Sequence, residues 1–244
     1  MKPLNRAITI GAALALALTA GSAALAREAP TMTVAVIDFT NQTNSATWWG
    51  GDVGPQLADM LSNELSATGD FKVIERQKIN AVLAEQDLAS SNRERPGSHP
   101  HTGNITGAQY LVTGAVSAYS EDASNTGGGV NIAGFHLGGG QKKAYVAIDL
   151  RVVDAETSEV VYSRTVEGLS TDSGVNAGAN VRWGLGGDFH HEQKTPASKA
   201  VRAALIEASD YLDCVMVKND GCQASYDQKE QKRRQNDKSS LDLQ

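Results

Sequence analysis

The chain has 244 residues, a formal net charge of −6 and hydrophobic residues at 41% of its positions. This length suits one domain of ordinary size or a domain with an insertion, and the apolar share is enough to build a core. The negative charge supplies no basic field for a polyanion, so the composition argues against nucleic-acid binding.

The first 26 residues have the pattern of an export signal. Lys2 and Arg6 supply positive charge, the apolar run ITIGAALALALTAG follows, and Ala24-Leu25-Ala26 forms an A-x-A cleavage site. A retained membrane anchor is the alternative, and the small residues at the end of the run favour cleavage. No cysteine lies near this point, so we expect no lipid to be attached there. We predict a signal peptide at 1–26 and an exported protein in the periplasm or outer membrane of a Gram-negative bacterium.

The first elements after the signal read as a strand, a loop and a helix. MTVAVIDFTN (32–41) is β-branched and apolar, and NQTNSATWWGGD is polar and Gly-containing. Apolar residues then recur at helical spacing from Val53 to Leu65, which predicts an amphipathic helix. Asp52 is the expected N-cap and Gly69 the expected stop.

A second strand and helix follow. FKVIER (71–76) is the strand, and QKINAVLAEQDLA (77–89) is the helix, for which we expect Ile79, Val82 and Leu83 to point inward. Residues 90–107 form a polar loop, and YLVTGAVSAYS (110–120) is the next strand. The order so far is βαβαβ, which indicates helices packed on a sheet.

The second half begins with a Gly-rich segment and a strong strand pair within 143–168, joined by the turn DAETSE. A second Gly-rich segment follows, and then a long helix from Thr195. Within that segment, one apolar face of a strand is formed by Val175, Ala177, Ala179, Val181, Trp183 and Leu185. The residues from 223 onward are charged and predict a solvated helix extension or disorder. The predicted fold class is α/β (α+β), with helices on a mixed sheet that two Gly-rich segments interrupt like insertions.

Cys214 and Cys222 are the only cysteines, and both belong to the exported part. A disulfide closing this short loop is favoured in an oxidising compartment, and two buried thiols are the alternative. Either arrangement is structural, because no histidine lies nearby in the sequence to complete a metal site.

The sequence offers no catalytic motif. It contains no G-x-S-x-G, no H-E-x-x-H and no P-loop. The histidine pairs at 99 and 101 and at 190 and 191 are metal-ligand candidates, but loop histidines are more often solvated. For Asp149 we expect contact with water or a pair with Lys143 or Arg151. We therefore predict a protein that is not an enzyme and has no cofactor and no metal.

Three segments carry a resemblance to a known family. IERQKINAVLAEQDL (74–88), GAQYLVTGAVSAY and VAIDLRVVDAETSEVVYS match, in order and spacing, segments of the curli production assembly/transport component family (CsgG family). The match covers residues 32–222. The resemblance implies a domain at 27–222 with Gly-rich hairpin segments at about 121–150 and 164–194, and a charged tail at 223–244.

The resemblance also implies a function. Channels of this family form rings in the outer membrane, in which each subunit donates two β-hairpins to a shared barrel, and export unfolded curli-like or adhesin subunits without nucleotide hydrolysis. By position, the loop that narrows the channel falls at Asn44 to Trp49, with Trp48 or Trp49 as its aromatic. The expected partners are further copies of the chain, the secreted polypeptide and periplasmic accessory proteins.

Alternation over about 11 residues, from Val175 to Leu185, fits the length of a tilted membrane strand. The alternative is a soluble periplasmic binding or assembly module of the same fold, with the Gly-rich hairpins as a docking surface for another envelope complex.

Overall fold

The computed structural model describes residues 32–43, 49–91, 93–95, 97–122, 130–132, 135–137, 143–171, 174–177 and 195–241. The predicted signal peptide lies outside these ranges. The helices are α1 (Val53–Thr68), α2 (Ile79–Ser90), α3 (Pro196–Leu212) and α4 (Gln223–Ser240), and a π-helical stretch, Asp213–Lys218, continues α3. The strands are β1 (Thr33–Val36), β2 (Thr40–Asn41), β3 (Lys72–Val73), β4 (Tyr110–Asp122), β5 (Val130–Ile132), β6 (Phe135–Leu137), β7 (Lys143–Asp154), β8 (Val160–Thr171) and β9 (Gly174–Ala177).

Seven strands form one mixed sheet in the order β3-β1-β4-β7-β8-β9, with β2 also pairing with β4. The first half is parallel, and β4, β7, β8 and β9 are antiparallel. The short strands β5 and β6 pair separately with each other. Helices on a mixed sheet confirm this part of the predicted fold class, and the two β-hairpin insertions stay a prediction.

The core lies between one face of this sheet and helices α1 and α3. Alternate residues of β7, including Val146, Ile148 and Leu150, point toward these helices and are fully buried. Leu61 of α1 and Leu205 of α3 meet them from the helix side. Both helices were predicted from the sequence because apolar residues recur at helical spacing along the face of each helix that is buried.

The backbone conformation and hydrogen bonds of the flanking residues explain where α1 ends and how α1 and α3 begin. Gly69 ends α1 with φ of 71°, as predicted for a left-handed stop. Asp52 stands at the N-cap but its side chain makes no capping hydrogen bond, because its backbone is already helical (φ −98°, ψ −4°) and not extended. Thr195 is extended and accepts a hydrogen bond from Ser198 N, so it caps α3.

Two predicted elements differ in the structure. The strand predicted at 32–41 is interrupted into β1 and β2, because the N–H of Phe39 donates to Gly54 O instead of to a strand. The strand predicted at 71–76 is only Lys72–Val73, at the edge of the sheet. The inward placement of Ile79, Val82 and Leu83 is wrong, since α2 has no buried residue.

The tail forms α4, and a disulfide between Cys214 and Cys222 joins it to the π-helical stretch. Cys214 is buried in the core, whereas Tyr226 is the buried residue of α4. The disulfide therefore ties a charged helix with little apolar contact to the core.

Replacing both cysteines by serine is expected to lower the free energy of unfolding by about 2–3 kcal/mol, because the cross-link of eight residues restricts the unfolded chain. Urea unfolding of the oxidised protein and of C214S/C222S measures the difference. Equal midpoints and slopes in the two proteins would contradict a stabilising role.

Candidate functional site

The two Gly-rich segments begin at the same end of the sheet, and the second one first turns back along β8 as β9. Asp122, the last residue of β4, pairs with Lys143, the first of β7, and Lys143 also pairs with Thr171, the last of β8. Three strand ends therefore lie side by side. β4 ends where residues 123–142 begin, β7 begins where they end, and β8 ends where residues 172–194 begin.

The loop predicted to form a constriction leaves toward the same end. β2 runs parallel to β4 and pairs with Ala115 and Val116, so the chain after Asn41 continues in the direction of the end of β4. Asn41 Oδ1 accepts hydrogen bonds from the N–H and hydroxyl of Thr43, which starts the turn of the loop. Asn44 and Trp48 lie outside the described residues.

Trp49 is the one member of the predicted constriction that the structure describes. It is half-buried and packs against the core, and a Cβ atom placed on Gly54 would lie 3.5 Å from its ring. Its ring therefore supports the start of α1. The role of Asn44, Trp48 and Trp49 in a constriction stays a prediction.

The predicted membrane strand is described only at its beginning. Val175 and Ala177 lie on β9, where they pair with Ser170 and Gly168 of β8. This pairing places them at the edge of the domain sheet. Ala179, Val181, Trp183 and Leu185 lie outside the described residues, so their assignment to a membrane strand stays a prediction.

A cavity of about 530 Å³ lies on the second face of the sheet, opposite the core. Tyr145 and Glu167 line it from the strands, and Arg233 and Asp237 line it from α4. The hydroxyl of Tyr145 donates to Glu167 Oε1 at 2.7 Å, and Arg233 binds both Glu230 and Asp237 of its own helix. The cavity wall thus mixes apolar and polar groups, and its charged side chains include more acids than bases.

Burial raises the pKa of Glu167, and Asp237 and Glu230 add to the rise, whereas the hydrogen bond from Tyr145 and the charge of Arg233 oppose it. The folded protein therefore holds a proton on Glu167 at a higher pH than the unfolded chain does. Its contribution to stability is greatest in acid and falls as the pH rises from the ordinary value of 4.5 through the raised folded value.

The variant E167Q is expected to lose this pH dependence. Urea unfolding at several pH values between 4 and 8 should show wild type losing stability relative to E167Q as the pH rises. The exposed turn residue Glu156 provides the control E156Q for removal of one charge. If the difference in unfolding free energy between wild type and E167Q stays constant over this range, the pKa of Glu167 is the same in the folded protein and in the unfolded chain.

A buried arginine joins three elements on the other side of the sheet. The side chain of Arg164 on β8 is 8% exposed, and its guanidinium lies 5.0 Å from the ring centre of Tyr211 and 5.3 Å from that of Tyr226. Asp227 Oδ1 lies 3.7 Å from Nη1 of the Arg164 guanidinium. These contacts, with the ion pair between Lys229 and Glu207 at 2.7 Å, hold the first half of α4 to α3 and β8.

Asp149 has a structural partner that the sequence did not indicate. Its Oδ1 accepts a hydrogen bond of 2.7 Å from the Thr165 hydroxyl on the neighbouring strand.

Among the described residues, no group of three or more His, Cys, Asp or Glu side chains is arranged to hold a metal ion. The rings of His99 and His101 stand edge to face, 6.3 Å apart.

Sequence reasoning missed Arg164, Gly168 and the Tyr226 contact. The signals were present but weak: a glycine within a strand, which often marks a close backbone approach, and one aromatic in a charged tail.

In the part of the chain that the structure describes, no helix has both the length and the apolar character to cross a membrane.

Comparison with known proteins finds a family and several relatives. A family model described as curli production assembly/transport component CsgG matches residues 17–241. A Neisseria meningitidis serogroup B protein, NMB1126/NMB1164, which is named as a lipoprotein, is 30% identical over 111 residues. That match covers 46% of this chain and 44% of the relative, so the chain spans less than half the length of the curated relative that it matches.

Solved structures give more distant likenesses. A dodecamer of a PelC variant from Paraburkholderia phytofirmans is 22% identical, with 59% of this chain and 74% of that chain covered and a TM-score of 0.32. Protein CT253 of Chlamydia trachomatis is 13% identical, with 75% and 96% covered and a TM-score of 0.43. With such scores neither structure informs the function of this chain.

Proposed function

The chain belongs to the family of curli production assembly/transport component CsgG, and on that premise we propose that it is an oligomeric component of polypeptide secretion in the bacterial envelope. In this proposal, copies of the chain form a pore in the outer membrane through which curli-like or adhesin polypeptides pass unfolded. Transport proceeds without nucleotide hydrolysis or cofactor, and periplasmic accessory proteins deliver the cargo.

The observation that carries the proposal is that the two Gly-rich segments begin at the same end of the sheet. A barrel shared among subunits requires each copy to supply neighbouring strands in one direction, because a closed barrel leaves no unpaired strand edge in the lipid. Asp122, Lys143 and Thr171 adjoin at one end of the sheet, and this shared starting point of the two segments supports the proposed donation of strands.

The loop after β2 supplies the proposed constriction. The chain enters this loop toward the end of the sheet where the two segments begin, and this direction supports a position of the loop at the entrance of the proposed pore. Since Trp49 packs against the core, Trp48 is the aromatic that we assign to the channel.

W48A is accordingly expected to raise single-channel conductance in planar bilayers, because a smaller side chain widens the narrowest point. W48F keeps an aromatic ring and is expected to stay near wild type. Unchanged conductance in W48A would remove Trp48 from the narrowing.

Fractionation tests the proposed assembly. We expect the full chain in outer-membrane fractions, extracted by detergent as a complex of several copies, with the mass read by native mass spectrometry. A monomer released from the periplasm without detergent would overturn the pore and favour the soluble assembly module.

A further inference from the structure

Helix α4 passes from one face of the sheet to the other. Arg164 and Glu167 lie three residues apart on β8, so their side chains point to opposite faces. Tyr226, in the first half of α4, contacts Arg164 on the core face. Arg233 and Asp237, in the second half, line the cavity together with Glu167 on the second face. The two halves of α4 therefore meet different surfaces of the domain.

The first half of α4 is firmly attached. The disulfide at Cys222 ties its start to the core, and Tyr226 is buried. Lys229 Nζ lies 2.7 Å from Glu207 Oε1 of α3 and 4.9 Å from the centre of the Tyr226 ring. A covalent bond, a buried ring and a partly buried ion pair thus hold this half in place.

The second half of α4 has no such attachment. The guanidinium of Arg233 donates to Glu230 and Asp237, which belong to the same helix, and the serine hydroxyls near the end donate to carbonyl groups of α4. In the described part of the chain, no hydrogen bond or ion pair connects residues 233–241 to β4, β7 or β8. The cavity of about 530 Å³ lies between them, whereas close-packed interfaces leave few voids larger than a water molecule.

A helix end of this kind opens readily. Helices gain most of their stability from packing of an apolar face, and ends with few buried contacts fray first. The one buried residue of α4, Tyr226, belongs to the first half. Opening of residues 233–241 admits water to the cavity, where Tyr145 and Ala147 are buried on the sheet side.

The charged groups around Glu167 determine which state is favoured. The lining residues of β4 carry no charge, and the titratable groups of β7 and α4 in this region are Tyr145, Asp149, Glu230, Arg233 and Asp237. Burial is the largest cause of the raised pKa of Glu167, and the two acids of α4 add to it, whereas Arg233 and the hydrogen bond from Tyr145 oppose it. Ionisation of Glu167 is therefore unfavourable under the closed helix, and hydration after opening relieves this cost.

We propose that residues 233–241 form a pH-sensitive strap, which closes over the second face of the sheet while Glu167 carries a proton and opens when Glu167 is ionised. The closed state binds this proton more tightly than the open state, in which Glu167 is hydrated. The closed fraction is therefore greatest below the ordinary pKa of 4.5 and falls as the pH rises through the raised pKa of the closed state. This inference does not rest on the proposed oligomer or pore.

Distances between two spin labels test the strap in the full chain. The native cysteines are bonded to each other, so the cysteines of S239C/E156C carry the labels, at the exposed end of α4 and in the exposed turn between β7 and β8. Dilution with unlabelled protein restricts the measurement to distances within one chain. We expect one narrow distance distribution at pH 4.5 and a shift to longer and broader distances at pH 8.

Two further variants connect this shift to Glu167 and to the second half of α4. E167Q in the same labelled protein has no ionisable group at this position, so it is expected to keep the narrow distribution at pH 8. Q228C/E156C places one label on the exposed side of the first half of α4. It is expected to give the same distribution at both pH values.

A distribution of S239C/E156C that is the same at pH 4.5 and pH 8, whether narrow or broad, would overturn the strap. An equal shift in E167Q would show that another group controls the movement. An equal shift in Q228C/E156C would show that the whole of α4 moves, and each of these two results also overturns the proposal.

Discussion

Replacing Gly168 by alanine is expected to lower the free energy of unfolding by about 3 kcal/mol, at the upper end of the usual cost of overpacking a core. Gly168 lies on β8 where α3 crosses closest to the sheet. A Cβ atom there would overlap the carbonyl oxygen of Ala200 and lie 2.7 Å from the backbone N of Ala204. Both obstacles are helix backbone, which cannot move aside as a flexible side chain can.

Gly107 supplies the control for this substitution. A Cβ atom at Gly107 meets nothing within 4 Å, so G107A is expected to change stability by less than about 0.5 kcal/mol. Urea unfolding followed by circular dichroism measures both variants. A stability of G168A equal to that of G107A would show that α3 and β8 have room between them, which contradicts the packing described above.

Replacing Arg164 by alanine is expected to cost about 2–3 kcal/mol and to release α4. Two aromatic rings enclose the guanidinium, and a desolvated cation over a ring is worth roughly 2 kcal/mol. The ion pair with Asp227 adds little, because the Asp227 side chain is exposed. The aliphatic stem of Arg164 also packs there, and alanine loses that contact.

Two measurements distinguish release of α4 from a general loss of stability. Urea unfolding gives the free energy, and trypsin cleavage under native conditions reports the opening of α4 at Lys229, Lys232 and Arg233. R151A, at an exposed arginine on the neighbouring strand β7, is expected to match wild type in both. If native trypsin cleaves α4 of R164A no faster than α4 of R151A, Arg164 does not hold the helix.

The sequence predicted the elements that have a buried apolar face in the core. α1 and α3 have a continuous apolar stripe and a recognisable end, Gly69 for α1 and Thr195 for α3. β7 and β8 have long β-branched runs with a polar turn between them. Local pattern and tertiary packing agree at these places, so periodicity was a sufficient guide.

The errors arise where local pattern and long-range geometry disagree. Val82 and Leu83 have helical spacing, but a periodic pattern does not say whether a covering surface is present. The strand predicted at 71–76 shortened because β3 is an edge strand with one neighbour. The contact between Arg164 and Tyr226 joins residues 62 positions apart (226 − 164), and no local rule predicts such a contact.

Ionic conductance through the assembled protein tests the central claim, that copies of this chain form a secretion pore, most directly. The full chain, extracted from membranes in detergent and added to a planar lipid bilayer, is expected to insert in discrete steps of uniform, stable conductance. Inserted protein that gives no steps, or steps of random size that equal those of detergent alone, would contradict the claim.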